Sequence, residues 1–143
     1  MKTLILIFVL LVTTCLYSTI INVPGDQPTI QDGIVAAVDT DTVLVADGTY
    51  FENIDFIGKA ITVASNFLID ADESHIQNTI INGSQPTNPD FGSCAVFLSG
   101  EGINSVLTGF TLTEGTGTYD TNFGIFGEEP LHMIPPPELA LIG

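Results

Sequence analysis

Residues 42–65, TVLVADGTYFENIDFIGKAITVAS, decide the fold. Two later stretches echo them, NTIING at 78–83 and VLTGFTLTEG at 106–115. Each is a short run of apolar and β-branched residues closed by Gly, Asn, Asp or Ser. No long helical pattern separates the runs. Strands this short, punctuated by turns at this density, point to an all-β chain that keeps changing direction.

Working outward, residues 43–46, 53–56 and 60–64 read as the three strands of one coil. Residues 79–82, 95–98 and 106–113 read as a second, with the start of a third after them. In the last run Phe110 and Leu112 alternate with Thr111 and Thr113, as a pleat with one buried face requires. Two parallel ladders are expected, 43–46 beside 79–82 and 60–64 beside 106–113. Residues 66–78 and 84–93 are polar insertions, which in a repeating coil fall between strands and are free to vary. Stacked coils bury their faces only against neighbours, so two of them form a small core near the limit of independent stability.

Ahead of the coils, residues 19–23 form a short apolar strand and Pro24-Gly25-Asp26 a turn. Thr29 stands as an N-cap with Asp32 three residues on, able to reach back to its amide. Ile30, Ile34 and Val38, with Ala37 beside them, then give one apolar stripe on about three turns of helix. Gly33 weakens such a helix, so packing must hold it in place.

A strand ending in DGTY, then EN, KAITVAS, TIING and GFTLT resembles the N-terminal coils of right-handed parallel β-helix proteins. This is the pectin-lyase-like fold, in the version found in secreted bacterial repeat proteins, and the resemblance covers residues 30–117. It implies a solenoid, truncated after about two coils, with the short helix laid over its first end as a cap. Many unrelated functions share that architecture. Enzymes among the fold's members cleave or de-esterify acidic polysaccharides. The lyases use a strong base with cationic groups, and the esterases place paired aspartates and an arginine on later coils. Inverting glycosidases of this fold need an acid and a base carboxyl about 6.5–9.5 Å apart. Asp47, Glu52 and Asp55 can supply carboxylates, but there is no arginine and no Asp-Asp motif.

Composition limits the rest. The chain has 143 residues, 45% of them hydrophobic, which suits one globular domain. Seventeen acidic residues face only Lys2 and Lys59, for a net charge of −15. Such a surface repels phosphate backbones and excludes nucleic-acid partners. Met1-Lys2 followed by an unbroken apolar run from Leu4 to Val12 reads as a cleaved secretory signal over residues 1–18. That run is short of the about 20 residues a bilayer span needs. The protein is therefore expected to be secreted or at the cell surface. Residues 19–126 hold the cap and coils, and residues 127–143 read as an irregular Pro-rich tail in which Pro135-Pro136-Pro137 cannot join a ladder. Two cysteines, Cys15 and Cys94, build no disulfide framework.

Among candidate sites, Asp70, Asp72 and Glu73 offer alternate oxygens like the start of a calcium loop. The turn glycine and distal glutamate of an EF-hand do not follow. No cofactor other than such a Ca²⁺ is expected. His75 and His132 stand outside any nucleophile motif, and no catalytic residue is assigned. Asn53, Asn66 and Asn82 at strand ends can stack as an amide ladder. These readings favour a non-catalytic β-helix module with a structural, adhesive or glycan-contacting role. The alternative is the N-terminal part of a polysaccharide-active enzyme without its catalytic coils. A last strand with unpaired backbone groups favours self-association through that open edge, and a polysaccharide or cell-surface component is the expected partner.

Overall fold

A computed structural model describes residues 17–119. The proposed leader falls on residues outside that range save Tyr17 and Ser18, and the tail at 127–143 lies wholly outside it. The described chain is mostly short strands in small sheets, with three short helices. The strands are β1 (Ile20–Val23), β2 (Thr42–Val45), β3 (Gly48–Tyr50), β4 (Ile54–Asp55), β5 (Thr62–Ser65) and β6 (Thr79–Asn82). They continue with β7 (Phe91–Gly92), β8 (Ala95–Val96), β9 (Val106–Thr108), β10 (Thr111–Thr113) and β11 (Gly117–Thr118). The helices are α1 (Ile30–Ala36), α2 (Phe67–Asp70) and α3 (Ser74–Asn78). Among the described residues no helix is long and apolar enough to cross a membrane.

Three sheets are wholly parallel. One runs β1-β2-β5-β9, a second β3-β6-β10, and a third is the pair β4-β8. A small antiparallel pair joins β7 to β11. Within the largest sheet Val43 lies beside Val63 and Val63 beside Leu107, so like side chains repeat one above the other. Val43, Val45 and Val63 are fully buried, and they meet Ile54, Phe56, Ile61 and Ile81 in one core. Strands with one apolar face in parallel register explain this stacking: the pleat sends every second side chain inward.

The expected ladder of 60–64 beside 106–113 is present as Thr62–Ala64 beside Val106–Thr108. The other expected ladder is not. β2 pairs with β1 and β5, whereas β6 pairs with β3 and β10. The frame of the repeat is therefore shifted. Residues 60–64 do not close the first set of strands but open the second, and Gly48–Tyr50 forms a separate strand between the expected runs 43–46 and 53–56. Residues 106–113 also form two strands in two sheets, with Gly109 between them at φ +82. A Cβ at Gly109 would run into Ser65 Oγ, so the corner requires a residue without a side chain.

Helix α1 packs on β1, β2 and β4 and buries Ile30 and Ile34. Thr29 is its N-cap: its hydroxyl oxygen accepts the Asp32 N–H at 3.0 Å, and its hydroxyl proton goes to Asp32 Oδ2 at 2.7 Å. Asp32 thus takes the Thr29 hydroxyl, not the Thr29 amide. The helix stops at Ala36, and Val38 stands 65% exposed outside the expected stripe. The turn that follows explains the shorter helix. Buried Asp41 accepts the amides of Val38 and Thr19 at 2.9 and 2.8 Å, which fixes the chain in a bend there. Those two backbone bonds, Val38 first, hold the Asp41 carboxyl below its ordinary pKa.

A Cβ at Gly33 would lie 2.7 Å from Val43 Cγ1 and 3.2 Å from Val23 Cγ2. The glycine is where helix and sheet touch. In an open helix Gly→Ala gains about 1 kcal/mol. Here overpacking costs about 1–3 kcal/mol, so Gly33→Ala is expected to lower stability in a urea melt. A rise in the midpoint would mean that α1 sits further from β1 and β2 than the structure places it.

Candidate functional site

Charged side chains gather in two places, around α1 and at the corner between β2 and β3. At the first, Glu52 reaches the start of α1 and accepts Ile30 N–H on Oε1 at 3.0 Å and Gln31 N–H on Oε2 at 2.9 Å. These are two of the amides that a helix leaves unpaired at its N-terminus. Gln31 then pairs its side-chain amide with β4: Asp55 N–H donates to Oε1 at 2.8 Å, and Nε2 donates to Asp55 C=O at 3.1 Å. Asp55 Oδ1 accepts Ile57 N–H at 2.8 Å. At the other end of α1, Lys59 Nζ donates to the carbonyls of Ile34, Val35 and Ala37, each at 2.7 Å. An ammonium has three protons, and all three are used. Asp39 accepts Ala60 N–H at 3.0 Å beside it.

The second gathering is Asp47, Asp70 and His75. Asp47 follows β2, Asp70 ends α2 and His75 sits in the first turn of α3. His75 Nδ1 lies 2.6 Å from Asp47 Oδ1, and Nε2 lies 3.3 Å from Asp70 Oδ2. Thr79, the first residue of β6, directs its hydroxyl to Asp47 Oδ1 at 3.4 Å. The imidazole is thus held between two carboxylates on a partly open surface. Among the described residues no hydroxyl or thiol donates to it, so the group has an acid–base pair without a nucleophile.

Asp70 and Asp72, two of the three candidate calcium ligands, carry turn bonds: Asp70 Oδ1 accepts Asp72 N–H and Asp72 Oδ1 accepts Ser74 N–H, both at 2.9 Å. Glu73 precedes α3 without capping it through its side chain. Asp70 meets His75 instead of converging with Asp72 and Glu73. Among the described residues no three His, Cys, Asp or Glu side chains come together as a metal-holding group. The amide ladder does not form either. Asn53 Nδ2 donates to Gly83 C=O at 3.1 Å and Ser93 C=O at 3.0 Å, while Asn82 Oδ1 turns back to Ser84 N–H. Asn53 spans from one set of strands to the next, so its amide meets backbone and not another Asn.

An open cleft of about 460 Å³ lies between Cys94-Ala95 and Leu112-Thr113. Buried Cys94 lines it and directs its thiol to Thr113 C=O at 3.2 Å. The residue pattern did not mark this cleft. Nor did it mark Glu52, Asp55 and Lys59 as partners of α1. A signal for the latter exists: each lies between 21 and 25 residues from its partner. That is close to one repeat of the ladder, which carries Thr42 to Thr62. No family model matches the chain, and no curated protein or solved structure matches it.

The bond to Asp47 raises the pKa of His75 above 6.5, against a partial loss of hydration, with the charges of Asp47 and Asp70 adding to the rise. A folded-state pKa above the unfolded one means stability that is complete below 6.5 and is lost as pH rises through the folded value. Urea melts from about pH 5.5 to about pH 8 are expected to show that loss in the native protein and not in His75→Gln. Equal pH slopes in the two proteins would mean that the imidazole is not held by Asp47 in solution.

Proposed function

We propose that this chain is a non-catalytic module of the right-handed parallel β-helix class, secreted or displayed at a cell surface. Its role is structural, adhesive or glycan-contacting. In this reading β2, β3 and β4 make one coil, β5, β6 and β8 make the next, and β9 and β10 open a third. Strand β1 and helix α1 cap the first end. The strand orders support it: each of the three parallel sheets runs in the order of the sequence, as coils laid one on another require.

The observation that carries the non-catalytic part is the bidentate grip of Glu52 on the Ile30 and Gln31 amides. A carboxylate so engaged is not free to protonate a glycosidic oxygen or to activate water. Asp55 is committed to a backbone turn and Lys59 to three carbonyls, so among the described residues no lysine or arginine is left unspent for a uronate carboxylate. Polysaccharide contact then rests on surface shape and exposed aromatic residues, such as Phe51, and not on chemistry at a reacting bond.

Incubated with pectin or polygalacturonate, the purified protein is expected to release neither unsaturated products nor methanol, with Ca²⁺ or without it. Turnover that disappears in Asp47→Asn or Asp55→Asn would establish an enzyme instead, and a Ca²⁺ requirement lost in Asp70→Asn would establish the metal site.

Among the described residues β9 and β10 are the last strands of their sheets. Strand edges of this kind pair with a second copy unless something blocks them. Net charge opposes that pairing and salt weakens the opposition, since the screening length falls from about 30 Å at 0.01 M to about 3 Å at 1 M. Light scattering is expected to rise along a salt series. A protein that stays monodisperse throughout would mean that these edges are already covered.

A further inference from the structure

In a parallel ladder the N–H and C=O of one residue point to the same neighbour, so alternate residues serve alternate sides. Val106 N–H donates to Ile61 C=O at 2.9 Å, so Val106 and Thr108 face β5 and Leu107 turns both backbone groups to the other side. Strand β10 repeats the arrangement. Gly83 N–H donates to Thr113 C=O at 2.9 Å, so Thr111 and Thr113 face β6 and Leu112 faces away. Among the described residues no strand meets either edge. The stretch 102–113, between Glu101 and Glu114, holds no charged residue and no proline, the side chains that commonly blunt an edge. In a chain of net charge −15 it is a neutral surface, on which Val106 and Leu112 are 38% and 49% exposed.

The opposite edge of the same sheet is built differently. Thr42 N–H and Ala46 N–H donate to Thr19 C=O and Val23 C=O, both at 2.9 Å, so on β1 it is Asn22 that faces outward. Its groups are spent within the chain. Asn22 N–H donates to Asp26 Oδ2 at 2.8 Å, and Asn22 C=O accepts Asp26 N–H at 2.7 Å and Gln27 N–H at 3.2 Å. Strand β1 therefore lacks the groups to take β9 of another copy along its length, which closes off head-to-tail stacking into a filament. The open edge is left to pair with its own kind. Two like edges meet about a two-fold axis, and across that axis the strands run antiparallel. Centred on Leu107, such a contact gives each Leu107 N–H the C=O of the other copy and sets Val106 opposite Thr108.

We propose that this edge is the docking site for a second copy of the chain, in a closed two-fold dimer with β9 antiparallel to β9 and Leu107 opposite Leu107. It rests on the reading of β9 and β10 as open edges, and it adds the register and the limit of two copies.

Sedimentation velocity of the purified protein tests it, over a concentration series at about 0.15 M and about 1 M salt, where charge screening differs. The expected result is a monomer–dimer equilibrium that saturates at two copies and strengthens with salt. Leu107→Pro removes the one β9 N–H that faces away from β5, and with it one hydrogen bond from each copy. It is expected to weaken the dimer at least about tenfold with the far-UV circular dichroism unchanged. Single cysteines in a Cys15→Ser, Cys94→Ala background give a second readout that needs no proline. Val106→Cys mixed with Thr108→Cys is expected to form a disulfide at least about fivefold faster than either variant alone, because 106 and 108 face each other while like positions lie about 7–8 Å apart on the diagonal. Should Leu107→Pro lose its fold, the disulfide rates decide alone. Assemblies that grow past two copies would overturn this inference and keep the open edges. A monomer at every concentration and salt would remove the open edges themselves. A dimer with equal disulfide rates, or one that Leu107→Pro leaves as tight as before, would place the contact on another face and overturn the inference as well.

Discussion

The described fold depends on one cation. Lys59 donates to three carbonyls at the end of α1, and it is the only lysine or arginine in the described range. A helix leaves its last carbonyls unpaired and carries partial negative charge at that end, so an ammonium there serves both needs. The placement matters because of what α1 covers. Val23, Val43 and Ile54 on β1, β2 and β4 meet Ile30 and Ile34 in the same buried cluster. Those side chains lie at one edge of the sheets, where among the described residues no further strand pairs with β1 beyond β2. A seven-residue helix with a glycine at its centre is too short to hold itself. It is held from outside, by Glu52 at its start, by the Gln31 amide against β4 and by Lys59 at its end.

The same economy explains the excess of acid. Asp26, Asp39, Asp41, Glu52, Asp55, Asp70, Asp72 and Glu101 each accept a backbone N–H. Glu101 accepts two, from Gly58 and Ser99, and so joins the turns that follow β4 and β8. A chain that turns every few residues strands many amides at its corners, and a carboxylate is a strong acceptor for them. Negative charge is therefore tied to corner geometry in this molecule, and it does not need an array of cations to balance it locally. Repulsion between neighbouring carboxylates is offset where each one meets amide dipoles.

What the residues disclosed divides along a physical line. Local signals were legible: Thr29 as a cap, the apolar pair Ile30 and Ile34, the run Thr79–Asn82, and the stacking of 62–64 on 106–108. Register was not. An apolar run marks a strand but does not say which strand it meets, and the frame turned on two corners. One is Gly48–Tyr50, where Tyr50 buries part of its ring and closes the corner by donating its hydroxyl to Ala46 C=O at 2.9 Å. The other is Gly109, which breaks an otherwise continuous alternation because Ser65 leaves no room for a side chain. Of the candidate site residues, Asp70 ends α2 and meets an imidazole in place of the other two carboxylates. Its partner His75 was legible only as an isolated histidine, because the contact with Asp47 spans one repeat and exists only once that register is set.

Register also decides where the chain is free to vary. From Thr42 to Thr62 the repeat is short, with little beyond strands and corners. From Thr62 to Val106 it holds α2, α3 and the insertion 84–93 with β7, yet Thr62 still lies beside Val106 as Thr42 lies beside Thr62. The ladder therefore constrains the residues in strands and leaves the length between them open. Both insertions join strands that already have partners, so they change the outer surface without disturbing the buried valines and isoleucines. The His75 cluster stands on the first insertion, and residues of the second pair with β11. The strands fix where such insertions stand, and the insertions' own sequence fixes what they present.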